Sequence, residues 1–414
     1  MVSHSDPSIE AGVMPTYART DEVFVDGDGA IVRDSDGREY LDFLAGIAVN
    51  ALGHGHARMT AALQDQVGKV MHVSNLFRHP FTETVATRLC KHTGMAAAFF
   101  TNSGTESIEC AMKIARKAMH LAGTPERTSF VALERAFHGR SLGALSLTHN
   151  EKYRAPFAPL LDVTWVAPDD PATLAATIRA QHPAALFVEP IQGEGGIGEL
   201  SREFLQTARE VCTETGTVLV HDEIQTGCGR TGTFLAAQHH NVTPDVVTLA
   251  KPIGAGLPMG VCLASEAYAN TLAKGEHGST FGGGPLVCRA ASVFLDEIDN
   301  GLLEQVSARG AQLRAGLEQL QEELPAIIEV RGRGLMLGLQ LDRPAAEVQQ
   351  ALHREGLLLN CTAGDVLRMV PPFVVTESQV EDGLQRIRKV LQSLPPIPPV
   401  IPAVVRPRRE ATEP

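Results

Sequence analysis

Short runs of β-branched and apolar residues, each bounded by polar or turn residues, recur through the middle of the chain. They predict strands near 97–101, 128–133, 163–166, 184–188, 217–221 and 246–250, with helices near 171–181 and 201–215 between them. Strands that alternate with helices predict an α/β fold, a parallel sheet covered by helices on its faces. The clearest helix follows Asn102. Ile108, Ala111, Met112, Ala115, Ala118 and Met119 fall on one face, and Glu109, Lys113, Arg116, Lys117 and His120 on the other. Ser103 and Glu106 supply the S-x-x-E spacing of a capping box at its start.

Outside this region the pattern changes. Val23 to Leu44 alternates short apolar pieces with Asp-Gly turn signals, which predicts a small antiparallel meander. A glycine- and histidine-rich loop at 50–56 leads to helical patterns at 57–71 and 79–93. Beyond Phe281-Gly282-Gly283-Gly284-Pro285 a long helical stretch, 286–323, precedes short strands at 326–331, 334–340, 357–359 and 366–370. The expected organisation is a mobile arm at 1–13, a segment at 14–70, a large domain at 71–300, an α+β domain at 301–393 and a proline-rich extended tail at 394–414.

Composition narrows the function. A net charge of −12 over 414 residues argues against nucleic acid and against an anionic membrane surface as partners. Seven scattered cysteines with no C-x-x-C pair suggest reduced thiols in a cytoplasmic protein. No basic-then-apolar leader and no apolar run of membrane-spanning length is evident. The histidines form no metal-ligand pattern, so no metal is expected.

The candidate chemistry lies at strand ends, where ligands sit in open parallel sheets. One run, Val218-Leu219-Val220, ends in His221-Asp222-Glu223, and another, Val246 to Ala250, ends in Lys251. Lys251 is either a desolvated, nucleophilic amine or a surface lysine capping an edge strand. Ser103-Gly104-Thr105 opens a helix and is either an ordinary cap, as most such caps are, or a place where backbone N–H groups meet a phosphate. Phe137-His138-Gly139-Arg140 joins an aromatic ring to a guanidinium, which is either plain packing beside a surface charge or a stacking ring beside a carboxylate grip. Arg368 interrupts an apolar strand and needs a partner or a carboxylate ligand, and Glu194, beyond the strand ending at Glu189, is a candidate partner. Gly227-Cys228-Gly229-Arg230-Thr231-Gly232 matches G-x-G-x-x-G, but it is separated from its strand and reads as a glycine-rich loop, not a dinucleotide site.

The combination resembles the class III aminotransferases, and within them the acetylornithine aminotransferases. The likeness rests on MPTYAR (14–19), YLDFLAGIAVNALGHGH (40–56), NSGTES (102–107), FHGRSLGALSLT (137–148), EPIQGEGG (189–196), DEIQTGCGRTG (222–232), LAKPIGAGLPMG (249–260), GSTFGG (278–283) and LRMVPP (367–372). The resemblance implies a fold-type I architecture: a large domain with a mainly parallel seven-stranded sheet, and a smaller α+β domain to which 14–70 also belongs. It implies pyridoxal phosphate (PLP) held covalently by Lys251, which also moves the substrate proton, with Asp222 on the pyridine nitrogen. Gln225, Phe137, His138, Ser103, Gly104 and Thr105 complete the cofactor site, together with the partner subunit's Thr280 in a homodimer. The implied substrates are small amino and 2-oxo acids, contacted by Tyr17, Arg140, Glu194, Ser279 and Arg368. Arg140 would hold the carboxylate remote from the reacting carbon, and Arg368 the near one of glutamate, with Glu194 pairing with Arg368 when it is empty. Departures at Pro252-Ile253, Gly284 and Arg78-His79 fall in loops of the substrate pocket.

Overall fold

Seven strands form the central sheet: β1 (Ala97–Thr101), β2 (Phe130–Leu133), β3 (Val163–Val166), β4 (Ala185–Val188), β5 (Val218–Asp222), β6 (Val246–Leu249) and β7 (Gly260–Ala264). Their spatial order is β1-β7-β6-β5-β4-β2-β3. The pairs β2–β3, β2–β4, β4–β5 and β5–β6 are parallel, whereas β7 runs antiparallel to both β6 and β1. Residues of β2, β4, β5, β6 and β7 are buried throughout, as a sheet covered on both faces requires. The apolar pattern predicts six of these strands. It misses β7, whose five residues follow the turn Gly256-Leu257-Pro258-Met259 without a polar break.

The computed structural model describes residues 12–395, and most of the predicted arm and tail lies outside the described residues. The strongly patterned helix is α1, Gly104–Leu121, and its buried face also takes in Cys110 and Ile114. The long stretch predicted at 286–323 is two helices, Pro285–Glu297 and Leu303–Glu323, separated by a π-helical turn. Gly301 breaks it, with φ +99.

The remaining strands make a two-stranded ribbon, Ile191–Gln192 against Gly198–Glu199, and two four-stranded sheets. Phe24–Asp28, Ile31–Asp34 and Glu39–Asp42 form the predicted meander, which is extended by Leu357–Leu358 lying parallel to Glu39–Asp42. The N-terminal segment therefore shares a sheet with the C-terminal part of the chain. The second sheet contains Ile327–Arg333, Met336–Leu341, Val366–Met369 and Asn360–Thr362, all antiparallel. Arg368 stands in its interior, in register with Gly338 on one side and Asn360 on the other. One apolar cluster runs from Leu41 and Phe43 through Leu249 and Phe294 to Leu367 and Phe373, and so fixes this sheet against the central one.

Candidate active site

The carboxyl ends of the parallel strands converge on a cavity of 490 Å³. Ser103, Gly104 and Thr105 come from the end of β1, and Phe137, His138 and Arg140 follow β2. Asp222 and Gln225 follow β5, and Lys251 follows β6; all of them line the cavity. Because successive side chains of a strand point to opposite faces, Asp222 enters the cavity while His221 is sent into the packing behind it.

Asp222 is held from three sides. Its Oδ2 lies 2.7 Å from His138 Nδ1, and its Oδ1 accepts from Ile224 N at 3.0 Å and from Thr248 Oγ1 at 3.3 Å. His138 is buried edge-on against Phe187. Burial pulls its pKa down, but the bond to Asp222 and the charges of Asp222 and Glu189 outweigh that pull and leave it raised. Burial pushes the Glu189 carboxyl up to about 7, against the opposing charge of His138. Glu189 Oε2 accepts from Phe137 N at 3.1 Å and so anchors the loop that carries the Phe137 ring.

Lys251 does not cap an edge, because β6 lies between β5 and β7 inside the sheet. Its backbone is left-handed, φ +43, a conformation that costs a non-glycine residue on the order of 1 kcal/mol or more. Among the described residues no hydrogen bond or ion pair engages its amine. Burial, with the nearby Arg368 charge second, lowers the amine to about 8, against the pull of Glu194, Asp222 and Glu189. That value leaves an appreciable share of free, nucleophilic amine near neutrality.

At the start of α1, Ser103 Oγ accepts from Glu106 N at 3.4 Å, one half of the predicted capping box. The other half differs. Glu106 Oε2 accepts from Asn102 N at 2.6 Å and Asn102 Nδ2 at 3.0 Å, one residue before the cap. A Cβ on Gly104 would stand 2.8 Å from Ile224 Cδ1, so glycine lets the helix end approach the Asp222 loop.

The two arginines are held in different ways. Arg368 is fully buried, with NH1 at 2.6 Å from Glu194 Oε1 and 3.1 Å from Gln225 Oε1, and Nε at 3.1 Å from Asn360 Oδ1. Its NH2 has no protein partner among the described residues. The Glu194 side chain remains 39% exposed. Arg140 is exposed at the cavity, with its guanidinium 3.6 Å above the Tyr153 ring and no carboxylate within ion-pair distance among the described residues.

Five predicted residues are not on the cavity wall within one chain: Arg368 and Glu194, which pair behind Gln225, and Tyr17, Ser279 and Thr280. Tyr17 is 79% exposed. Ser279 and Thr280 line a separate depression with Glu106, Glu109 and His277. Conversely, the Gly256–Met259 turn, Val49 and Ile224 line the cavity and carry no chemical signature in sequence. The Gly227–Gly232 loop leads into no α-helix, only a 3-10 turn at Ala236–His240, so it offers no helix end to a dinucleotide.

The family model described as Aminotransferase class-III matches residues 16–391. The chain belongs to the class III aminotransferases. It is 42% identical over 380 residues to the acetylornithine aminotransferase of Aquifex aeolicus, spanning 92% of this chain and 99% of that one. Its identity to the acetylornithine aminotransferase of Rhodobacter capsulatus is 43% over 386 residues, 93% of this chain and 98% of the relative. Among solved structures, the ornithine aminotransferase of Toxoplasma gondii superposes with a TM-score of 0.88 at 34% identity, covering 92% of each chain. The N-acetylornithine aminotransferase of Stenotrophomonas maltophilia gives 0.80 at 36% identity, covering 90% of this chain and 96% of that one.

This class III aminotransferase is a PLP-dependent transaminase of fold type I. The donor set of its cavity suits that cofactor. An anion-accepting helix end, a buried carboxylate braced for a cationic ring nitrogen, and a lysine amine near pKa 8 share one cavity. Among the described residues, no cluster of potential metal ligands is present and no helix is long and apolar enough to cross a membrane.

Proposed function

We propose that this enzyme transfers the terminal amino group of N-acetylornithine to 2-oxoglutarate, giving N-acetylglutamate semialdehyde and glutamate, a step of arginine biosynthesis. The observation that carries this reading is the unequal state of the two arginines. Arg140 stands ready to take a carboxylate remote from the reacting carbon, as N-acetylornithine and glutamate both present. Arg368 is paired with Glu194, which suits a substrate with no carboxylate beside its reacting amine. When glutamate or 2-oxoglutarate arrives, its near carboxylate takes over the Arg368 fork, and the half-exposed Glu194 turns aside. The identity to acetylornithine aminotransferases along nearly the whole chain supports the same substrate.

Bound PLP supplies an electron sink for the carbon that gives up its proton. Lys251 would hold it covalently, and its Nζ, once free, would accept the proton from the substrate carbon bearing the reacting nitrogen. Asp222, braced by His138, would hold a positive charge on the ring nitrogen, and Phe137 would offer its ring for stacking. Gln225 offers its Nε2 to the phenolic oxygen, since its Oε1 accepts from Arg368. Ser103, Gly104 and Thr105 receive the phosphate at the α1 N-terminus. The working unit is a homodimer in which the partner subunit's Thr280 reaches that phosphate, and Tyr17 and Ser279 contact substrate in the assembled enzyme.

The test is a single-turnover absorbance measurement on the PLP-loaded protein. N-acetylornithine alone bleaches the visible band and 2-oxoglutarate restores it. Bleaching by ornithine, N-succinylornithine or 4-aminobutyrate in its place would reject the substrate while leaving the transaminase intact.

A further inference from the structure

Apart from the Phe137 ring, 5.7 Å from the Arg140 Cζ, the support beneath Arg140 is built from residues that do not line the cavity. Tyr153 lies in the short helix Glu151–Arg154, and its ring takes the flat side of the guanidinium at 3.6 Å. Stacking occupies the face of a guanidinium and leaves its N–H edge open, whereas an acidic partner would fill the fork that a substrate carboxylate needs. The second support comes through the next residue in the chain. Ser141 Oγ donates to Glu109 Oε1 at 2.6 Å, and the same carboxylate oxygen accepts from Ala144 N at 3.1 Å.

This commitment of the single Ser141 hydroxyl hydrogen orders the rest. Ser141 Oγ must accept from Thr105 Oγ1, at 2.7 Å, while Ser141 N donates to Thr105 Oγ1 at 3.2 Å. The Thr105 hydroxyl hydrogen is thereby turned toward Ser141, so an anion at the helix end is left to the backbone N–H groups. Gly143 completes the arrangement, because a Cβ there would overlap the Glu109 carboxylate. Tyr153, Ser141 and Glu109 are all absent from the cavity wall.

We propose that Tyr153, and Glu109 acting through Ser141, are positioning residues that set the enzyme's demand for a carboxylate at the far end of its amine substrate. They do so by holding the Arg140 fork open and aimed before substrate arrives. The inference rests on the reading of Arg140 as the carboxylate grip given under Proposed function.

The test compares two amines on the holoenzyme: N-acetylornithine and N-acetyl-1,4-diaminobutane, which is the same molecule without the carboxylate. The readout is the ratio of their kcat/KM values. Tyr153→Leu and Ser141→Ala lower the ratio about tenfold, through KM for N-acetylornithine, while the rate with the carboxylate-free amine and the cofactor absorbance stay near the parent. Tyr153→Phe, which keeps the ring, retains the parent ratio. Equal losses for both amines in Tyr153→Leu and Ser141→Ala overturn the proposal. Arg140→Ala separates the two levels: a parent ratio in that variant would overturn the carboxylate role of Arg140 itself.

Discussion

His221 and Asp222 are neighbours on β5 with opposite fates. Asp222 has three hydrogen-bond partners, whereas His221 is fully buried and neither ring nitrogen has a protein partner among the described residues. Burial, then the charge of Arg209, depresses the His221 pKa to about 3. A depressed histidine weakens the fold in acid, because below its usual pKa the unfolded chain takes up a proton that the folded one refuses. Stability is therefore lost progressively as pH falls from about 6.5 toward 3. His221→Leu should remove the effect, with its advantage in unfolding free energy growing by about 2 kcal/mol between pH 7 and pH 5. Urea unfolding at each pH measures this, and a constant difference would refute it. At this scale the sequence was informative where position dictates chemistry. Lys251 and Asp222 could be picked out at strand ends, and Arg368 by its charge within an apolar strand. Tyr153 could not, since nothing in a four-residue helical turn signals which side chain lies over it.

Elements were legible wherever the hydrophobic period was clean, and unreadable where a neighbour set the boundary. Helix Pro171–Gln181 and strand Val163–Val166 occupy the predicted positions. The 286–323 stretch read as one helix because its apolar spacing continues across Asn300-Gly301, although the backbone does not. Strand β7 escapes the apolar pattern, yet it bears directly on the site. A Cβ on Gly260, its first residue, would run into Ser103 O, Thr101 Oγ1 and Ser107 Oγ at the junction of β1 and α1. Gly260→Ala should therefore destabilise the protein by about 1–3 kcal/mol through overpacking and displace the α1 N-terminus. PLP affinity, followed by absorbance titration, should fall about tenfold, in line with a cost of about 1.4 kcal/mol. Lost stability with unchanged PLP affinity would disconnect β7 from the cofactor site.

For the molecule as a whole, an exposed apolar surface gathers beside Thr280. Leu76 is 87% exposed, Phe77 69% and Phe281 65%, and the two segments are tied by Asn75 Nδ2 donating to Ser279 O at 2.9 Å and Gly282 O at 3.0 Å. So much apolar surface in one place marks an association site, and it lies beside Thr280, the residue proposed to reach the partner subunit's phosphate. If the proposed dimer forms through this surface, Leu76→Glu should give monomers in sedimentation and weaken PLP binding with it. A variant that sediments like the parent and binds PLP as tightly would count against the dimer interface proposed at this surface. From sequence these residues look like any loop-borne hydrophobics, because exposure is a property of the folded surface.

The pairing of Arg368 with Glu194 is lopsided: the arginine is locked in the small sheet, and the glutamate reaches in from a partly solvated loop. Evolution can therefore retune this enzyme from one side. Under the role proposed for Arg368, exchanging residue 194 alters how firmly its carboxylate pocket is shut, while the buried strand around the arginine keeps its packing. A lineage drifting toward amines of a different shape would thus find its adjustable position on the loop, with the buried strand serving as an unchanging reference.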